Sequence, residues 1–277
     1  MQGQLGFDGM PERLVRVTPA RLATWADCRR RYRMTYLDHP TPPRGGAKAH
    51  STMGACVHNA LRAYFGLSAP RRTPERAAGL LVKYWKGDGF ADEDQSRHYR
   101  DRAAGWVSDY VARLDPELEP VGLERWVAAP VGNLIAEGRV DRIDERGGEL
   151  VIVDYKTGRH GLSCGDAASS QALALYALAA RRTLRRPCTR VELHHLPTGA
   201  VAVAEHTEDT LARQLHRAEE LAREFSIATE ALAAGGAPDA LFPPTLGRHC
   251  SWCEFRRSCQ EGRAAAPEQP AWAMLAP

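Results

Sequence analysis

Apolar residues recur at helical spacing through most of the first 120 residues, and near Val121 the pattern changes to strand-like alternation. Thr18-Pro19 followed by ARLATWADCRRRYRMTYL offers an N-cap and a proline at the first helical position, predicting one amphipathic helix to about Leu37 that carries Cys28. The Pro/Gly-rich stretch from His39 to Gly46 predicts a loop. A second helix follows from about Met53 to Leu67, carrying His58. Helices near Pro74–Lys86 and Asp94–Leu114 flank the loop-like segment GDGFADED. Beyond Val121, GLERWVAAPV, LIAEGRVDRID and ELVIVDYKT alternate between Gly-containing turns and predict a meander of three strands. A helix from about Asp166 to Leu184, strands around Val191–Leu196 and Ala200–Glu205, and a long helix over Glu208–Ala233 complete the pattern. AAGGAPDALFPP then leads as a linker into a cysteine-rich end. The expected fold class is α/β. One domain spans 1–262, with a helical part at 18–120, a sheet core at 121–206, a long helix at 207–233 and a Cys-rich end at 247–262; residues 263–277 form a flexible tail.

The 277 residues, 44% hydrophobic and 26% charged, suffice for one large domain. No stretch approaches the roughly eighteen apolar residues of a membrane span, and MQGQLGFDGMPER lacks the order of a signal peptide. A soluble, cytoplasmic protein with no membrane partner is expected, and the Arg/Ala-rich composition suggests a bacterial source. The net charge of +3 is too small to argue for nucleic acid by itself. Arginines cluster, however, at positions 29, 30, 31 and 33, at 181, 182, 185 and 186, and at 248, 256 and 257. Each cluster could meet phosphates or simply form a solvated helix face.

The segment GRVDRIDERGGELVIVDYKTGR, residues 138–159, is the most informative. With Gly147-Gly148 as a two-residue hairpin loop, Asp141 falls opposite Asp154 and Arg139 opposite Lys156, all four on one face. Two carboxylates across a ladder repel each other unless a counter-charge lies between them. A divalent cation supplies it, and hard oxygen ligands suit Mg²⁺ or Mn²⁺. Asp154 interrupts the apolar run LVIV, where an unpaired carboxylate is costly. Lys156 could orient water or steady a phosphate. A solvent-facing Asp/Arg/Lys ladder is the plainer alternative.

GRVDRID followed by IVDYKTG resembles the core signature of the RecB-like branch of the PD-(D/E)XK nucleases. The upstream MGACVHNAL resembles that family's helix bearing a metal-ligand histidine, which places the role on His58; otherwise His58 reads as an ordinary histidine near a core. The resemblance implies Asp141 and Asp154 as metal ligands, Lys156 as the catalytic lysine, and the Tyr155 backbone carbonyl in the metal shell. Glu124 resembles an acidic position of many members, and a surface glutamate in GLERW accounts for it equally well. The family's helical glutamine stands four residues before a tyrosine, both contacting DNA or supporting the lysine. Here QALALYAL sets Gln171 five residues before Tyr176, so Tyr176 carries over and Gln171 departs from the pattern. Arg29 and Arg30 are further candidates for substrate contact. The implied fold is a restriction-endonuclease-like mixed sheet flanked by helices.

The number of cysteines, seven, is odd, and metal binding is a better account than disulfides. Cys56, Cys164 and Cys188, among small or apolar neighbours, read as buried thiols. Cys250, Cys253 and Cys259 form C-x2-C-x5-C, a spacing that lets thiolates converge on one soft metal centre. Nucleases of the resembled class often close their ends with one N-terminal and three C-terminal cysteines around a [4Fe-4S] cluster, which implies Cys28 as the fourth ligand. Zn²⁺ is the alternative metal.

The expected activity is metal-dependent hydrolysis of DNA phosphodiesters, on single strands, by an exonuclease or an endonuclease acting in repair or recombination. The alternatives are a non-catalytic iron-sulfur DNA-binding scaffold and a zinc-bound interaction protein; the first leaves the intact acidic pair and lysine unused, the second leaves the hairpin unexplained. No G-x4-G-K-[ST] loop occurs, so unwinding falls to a helicase or other repair partner. A monomer or small oligomer is expected.

Overall fold

The computed structural model describes residues 14–275, and the first thirteen and last two residues of the expected domain and tail lie outside them. Six strands, β1 (Val15–Val17), β2 (Gly122–Val131), β3 (Leu134–Arg146), β4 (Glu149–Lys156), β5 (Arg190–His195) and β6 (Ala200–Glu205), form one mixed sheet. Its order is β1-β3-β4-β5-β6, with β2 on the remaining edge of β3. The meander β2-β3-β4 is antiparallel, and β1 and β5 join it in parallel. The sheet is built around the hairpin: Gly147 and Gly148 have φ of 61° and 87°, a backbone that favours glycine. The tight loop sets the register from Arg146↔Glu149 to Arg142↔Val153.

Helices cover both faces. Leu150 and Ile152 of β4 point into a core shared with α1 (Pro19–Asp27), α7 (Gln171–Leu184) and α8 (Glu208–Ala233). Val151, Val153 and Tyr155 point the other way, into a core shared with α3 (Ala49–Phe65), α4 (Pro74–Tyr84) and α5 (Glu93–Val111). A strand covered on both faces reads as a continuous apolar run, which is why LVIV does not alternate. Among the described residues, no helix is long and apolar enough to cross a membrane.

Two predicted helices are each divided. The expected helix from Pro19 to Leu37 breaks at Cys28, whose φ of −163° and ψ of 114° separate α1 from α2 (Arg29–Tyr36). The break aims the Cys28 sulfur at the C-terminal end while Trp25 and Tyr32 stay in the core, ring centroids 5.1 Å apart. The helix expected over 166–184 divides at Ser170 into α6 (Cys164–Ser169) and α7, with Ser170 capping the second piece by accepting from Leu173 N. Residues 263–275 do not hang free as the expected flexible tail. After α9 (Pro238–Leu241) and α10 (Gln260–Ala265), the chain crosses to the α3–α5 layer. There Ala49 N donates to Ala271 O at 3.1 Å and Leu275 is buried.

The core beneath the hairpin is polar. Arg142, fully buried, holds Asp144 with Nε 2.9 Å from Oδ1, and its Nη1 donates to the Tyr110 and Tyr155 hydroxyls at 2.9 and 3.2 Å. Tyr110 meets His194 Nδ1 at 2.8 Å, and His194 Nε2 meets Glu192 at 2.8 Å. Burial holds His194 below its ordinary pKa, so the neutral ring donates to Glu192 and accepts from Tyr110. Burial opposes ionisation of Glu192, but bonds from His194, Arg146 and Arg190 outweigh it and hold the carboxyl well below its usual range. We expect Glu192→Gln to cost about 2 kcal/mol at neutral pH, because it removes a buried carboxylate that Arg146, Arg190 and His194 share, leaving Arg146 with Asp144 and Arg190 with Glu205 alone. The deficit should shrink as pH falls below the ordinary glutamate value of 4.5, since the wild type then loses the same contribution. Urea unfolding of both proteins across that range checks this, and a deficit independent of pH would contradict it.

Candidate metal centre

Asp141 stands where one strand pairing is interrupted and another ends. On the β2 side the pairs Leu123↔Arg142 and Arg125↔Val140 flank an unpaired Glu124 and Asp141. On the β4 side the ladder ends at Arg142↔Val153, one step short of Asp141 and Asp154. Val140 and Ile143 face the same core, an odd spacing that regular alternation does not give, so the pleat is broken between them. Glu124 opposite has φ of 46°, an uncommon conformation for a residue with a Cβ and one that concentrates at functional sites. The backbone freed by the break is used locally: Tyr155 N donates to Asp141 Oδ2 at 2.9 Å.

The break turns acidic groups toward α3. His58 Nδ1 lies 3.3 Å from Asp141 Oδ1 and 3.6 Å from Glu124 Oε1, and one ligand atom from each of the three lies within 4.8 Å of the others. Glu124, equally readable in sequence as a surface residue, is a full member of this cluster. Asp154 is turned toward Lys156, whose Nζ lies 2.5 Å from its Oδ2. Burial above all, and then the Asp141 charge, raise the Asp154 pKa, against the attraction of Lys156 and His58. Tyr176 of α7 closes the other side over Gly138, where an added Cβ would come within 2.6 Å of its ring. Burial and then the Asp154 and Asp141 carboxylates push its hydroxyl up to about 12, so it remains a neutral donor.

The expected partnership of Arg139 with Lys156 is corrected. Arg139 lies opposite Trp126 on β2 and its Nε pairs with Glu124 Oε2 at 2.9 Å, whereas Lys156 lies opposite His195 on β5. The open ladder is the reason, since the backbone pairing of β3 with β4 ends at Arg142↔Val153. Gln171 opens α7, and its five-residue offset from Tyr176 turns it roughly 140° around the helix. Arg29 and Arg30 are not brought to this centre. Arg29 reaches Glu224 at 2.8 Å, and the buried Arg30 reaches Glu261 at 2.7 Å and Asp239 at 3.2 Å, joining α2 to the chain's other end.

At that other end, Cys28, Cys250, Cys253 and Cys259 line one cavity. Gly262 leaves room beside two of the sulfurs, because a Cβ there would sit 3.2 Å from Cys259 Sγ and 3.7 Å from Cys250 Sγ. Cys56 and Cys188 are buried as expected, but Cys164 is exposed at the start of α6, where the short helix needs only Ala167 inside.

The carboxylates and imidazole suit a hard divalent cation. Burial alone would lower the His58 pKa, yet Asp141 and Glu124 raise it to about 10, so without a metal the imidazolium itself supplies the positive charge the cluster calls for. A cation must displace that proton. Mn²⁺ affinity should therefore rise about tenfold per pH unit from about pH 6 to about pH 8, with one proton released per ion. Calorimetry in buffers of different ionisation enthalpy measures both quantities. His58→Gln should flatten the profile, and a pH-independent affinity in the wild type would contradict the assignment.

A search among curated proteins gave no match. A family model described as the PD-(D/E)XK nuclease superfamily matches residues 16–260, which include every residue of the cluster, Asp154, Lys156 and the four cysteines of the cavity. With the match covering most of the chain and a carboxylate-histidine cluster lying beside the Asp154–Lys156 pair, the chain belongs to the PD-(D/E)XK nuclease superfamily.

Proposed function

We propose that the chain hydrolyses phosphodiester bonds of DNA, on single strands, with Mg²⁺ or Mn²⁺ held by His58, Asp141, Asp154 and Glu124. The observation that carries this is the convergence of His58, Glu124 and Asp141 where the strands part, with Asp154 and Lys156 alongside. A divalent cation there acidifies water and offsets charge on the scissile phosphate. The chain's own groups do the rest. Lys156, exposed at the end of β4, donates to a phosphate oxygen and orients the attacking water, and Asp154 fixes its ammonium. The Tyr155 carbonyl is the next oxygen along the strand. Tyr176, a neutral donor, supports the substrate from the α7 side. An exonuclease working with a helicase or repair partner is the form we favour, in keeping with the RecB-like signature.

Asp154→Ala and Lys156→Ala should each lower cleavage by at least about a hundredfold while leaving DNA binding within a fewfold. End-labelled linear and circular single-stranded DNA with Mn²⁺ provide the assay. Digestion of the linear form alone identifies an exonuclease, and cleavage retained in both variants would refute the mechanism.

We further infer that Cys28, Cys250, Cys253 and Cys259 hold a [4Fe-4S] cluster that joins the two ends of the domain. All four thiols line the one cavity, and Gly262 keeps it open beside two of them. Ion pairs support the same closure: Arg31 Nε reaches Glu254 at 3.1 Å beside Cys253, and Arg30 reaches Glu261 beside Cys259. Anaerobically purified protein should contain iron and acid-labile sulfide and absorb visible light. Cys28→Ser should lose both along with thermal stability, whereas Cys164→Ser, outside the cavity, should keep them. Stoichiometric zinc without iron would overturn the assignment.

A further inference from the structure

The helices between Leu67 and Val121 carry none of the recognisable signature, yet α5 builds one wall of a groove that begins where β4 ends. Tyr99, Arg102 and Trp106 line that wall, Thr157 and Arg159 line the floor, and Leu275 closes one side. Thr157 directly follows Lys156. Gly54 of α3 lies against it, since a Cβ there would sit 3.4 Å from Thr157 Oγ1. His58 is four residues along the same helix, one turn away on the same face. The groove is thus the continuation of the metal centre along β4.

Its chemistry is specific. The Arg102 guanidinium lies 5.5 Å from the ring centroids of both Tyr99 and Trp106, which places a cation over two aromatic rings. Neither Arg102 nor Arg159 pairs with a carboxylate among the described residues, although the arginines of α2 do. Among the described residues, those that line the groove include no acidic side chain. An aromatic surface beside unpaired cations fits a nucleobase and its phosphate, and a base is free to stack there only when it is not paired.

We propose that this groove binds unpaired DNA strand next to the scissile phosphate, with a base against Arg102 and Trp106 and the backbone at Arg159, and that it gives the enzyme its preference for single strands. The inference rests on the nuclease reading. The site explains why α5 keeps two large aromatic rings partly exposed: Trp106 and Tyr99 only border the core, while Ala103 and Val107 enter it.

The test measures binding of fluorescent oligothymidylate and of a blunt hairpin duplex to the Asp154→Ala protein, whole chain and cluster-loaded, by anisotropy. Arg102→Ala, an exposed change that leaves the core untouched, and Trp106→Leu should each weaken oligothymidylate binding roughly tenfold, the size expected from one lost base stack. In the otherwise wild-type enzyme the same changes should raise KM for single strands more than they lower kcat. Arg217→Ala, on the exposed face of α8, should change neither. Unaltered binding and KM in both groove variants, with the parent cleaving normally, would overturn the inference and leave the nuclease reading intact. Duplex bound as tightly as oligothymidylate would overturn the single-strand assignment, and tighter binding of oligouridylate would overturn the choice of DNA. A parent that cleaves nothing yet loses oligothymidylate binding on Arg102→Ala would support the groove while removing the catalytic reading.

Discussion

Like charges gathered in a partly buried place must be held there against their own repulsion, and in this protein the sheet does so by ceasing to be regular. Asp141 is left unpaired by both neighbouring strands, and the opposing Glu124 adopts a left-handed backbone. What stabilises the irregularity is local: the Tyr155 N–H on Asp141, Arg139 on Glu124, Lys156 on Asp154 and the imidazole between the two strands and α3. A cation would relieve the remaining repulsion at a point the fold has already opened.

The elements around the break have matching roles. The buried chain from Arg142 through Tyr110 and His194 to Glu192 fixes the underside of β3, β4 and β5, and one of its members, the Tyr155 hydroxyl, belongs to the residue whose backbone orients Asp141. Buried polar networks of this kind define geometry more than they add stability. On the opposite face α7 contributes Tyr176 against Gly138. The arginines of α2 are engaged in closing the chain on itself, so a substrate strand must find its cations elsewhere, and Arg159 and Arg102 lie on the side of the centre where β4 ends.

Much of this was legible in the sequence, for identifiable reasons. Gly147-Gly148 admits one tight loop, and the loop dictates the register, so the pairing of β3 with β4 follows from the two glycines. Long amphipathic segments such as Glu208–Ala233 were equally plain. What was hidden is wherever the structure breaks a local rule. Hydrophobic periodicity runs on through Cys28 and Ser170, where the helices divide. Val15–Val17 is too short to show alternation, so no pattern in the sequence marks its strand. Register arithmetic extends a ladder indefinitely and cannot show that it ends at Arg142, so it sets Arg139 opposite Lys156 when its partner is Glu124. Arg142 and Asp144 look like solvent-facing residues of a charged hairpin, and only their neighbours in space reveal them as core.

The claim at the centre of this account is that one cation binds where β3 parts from its neighbours. Anomalous diffraction from crystals of the protein soaked in Mn²⁺ would locate it directly. The account predicts one strong peak within bonding distance of His58, Asp141 and Glu124, with Asp154 reachable from the same ion. A peak at another carboxylate cluster, or saturating Mn²⁺ with no density between these residues, would contradict it.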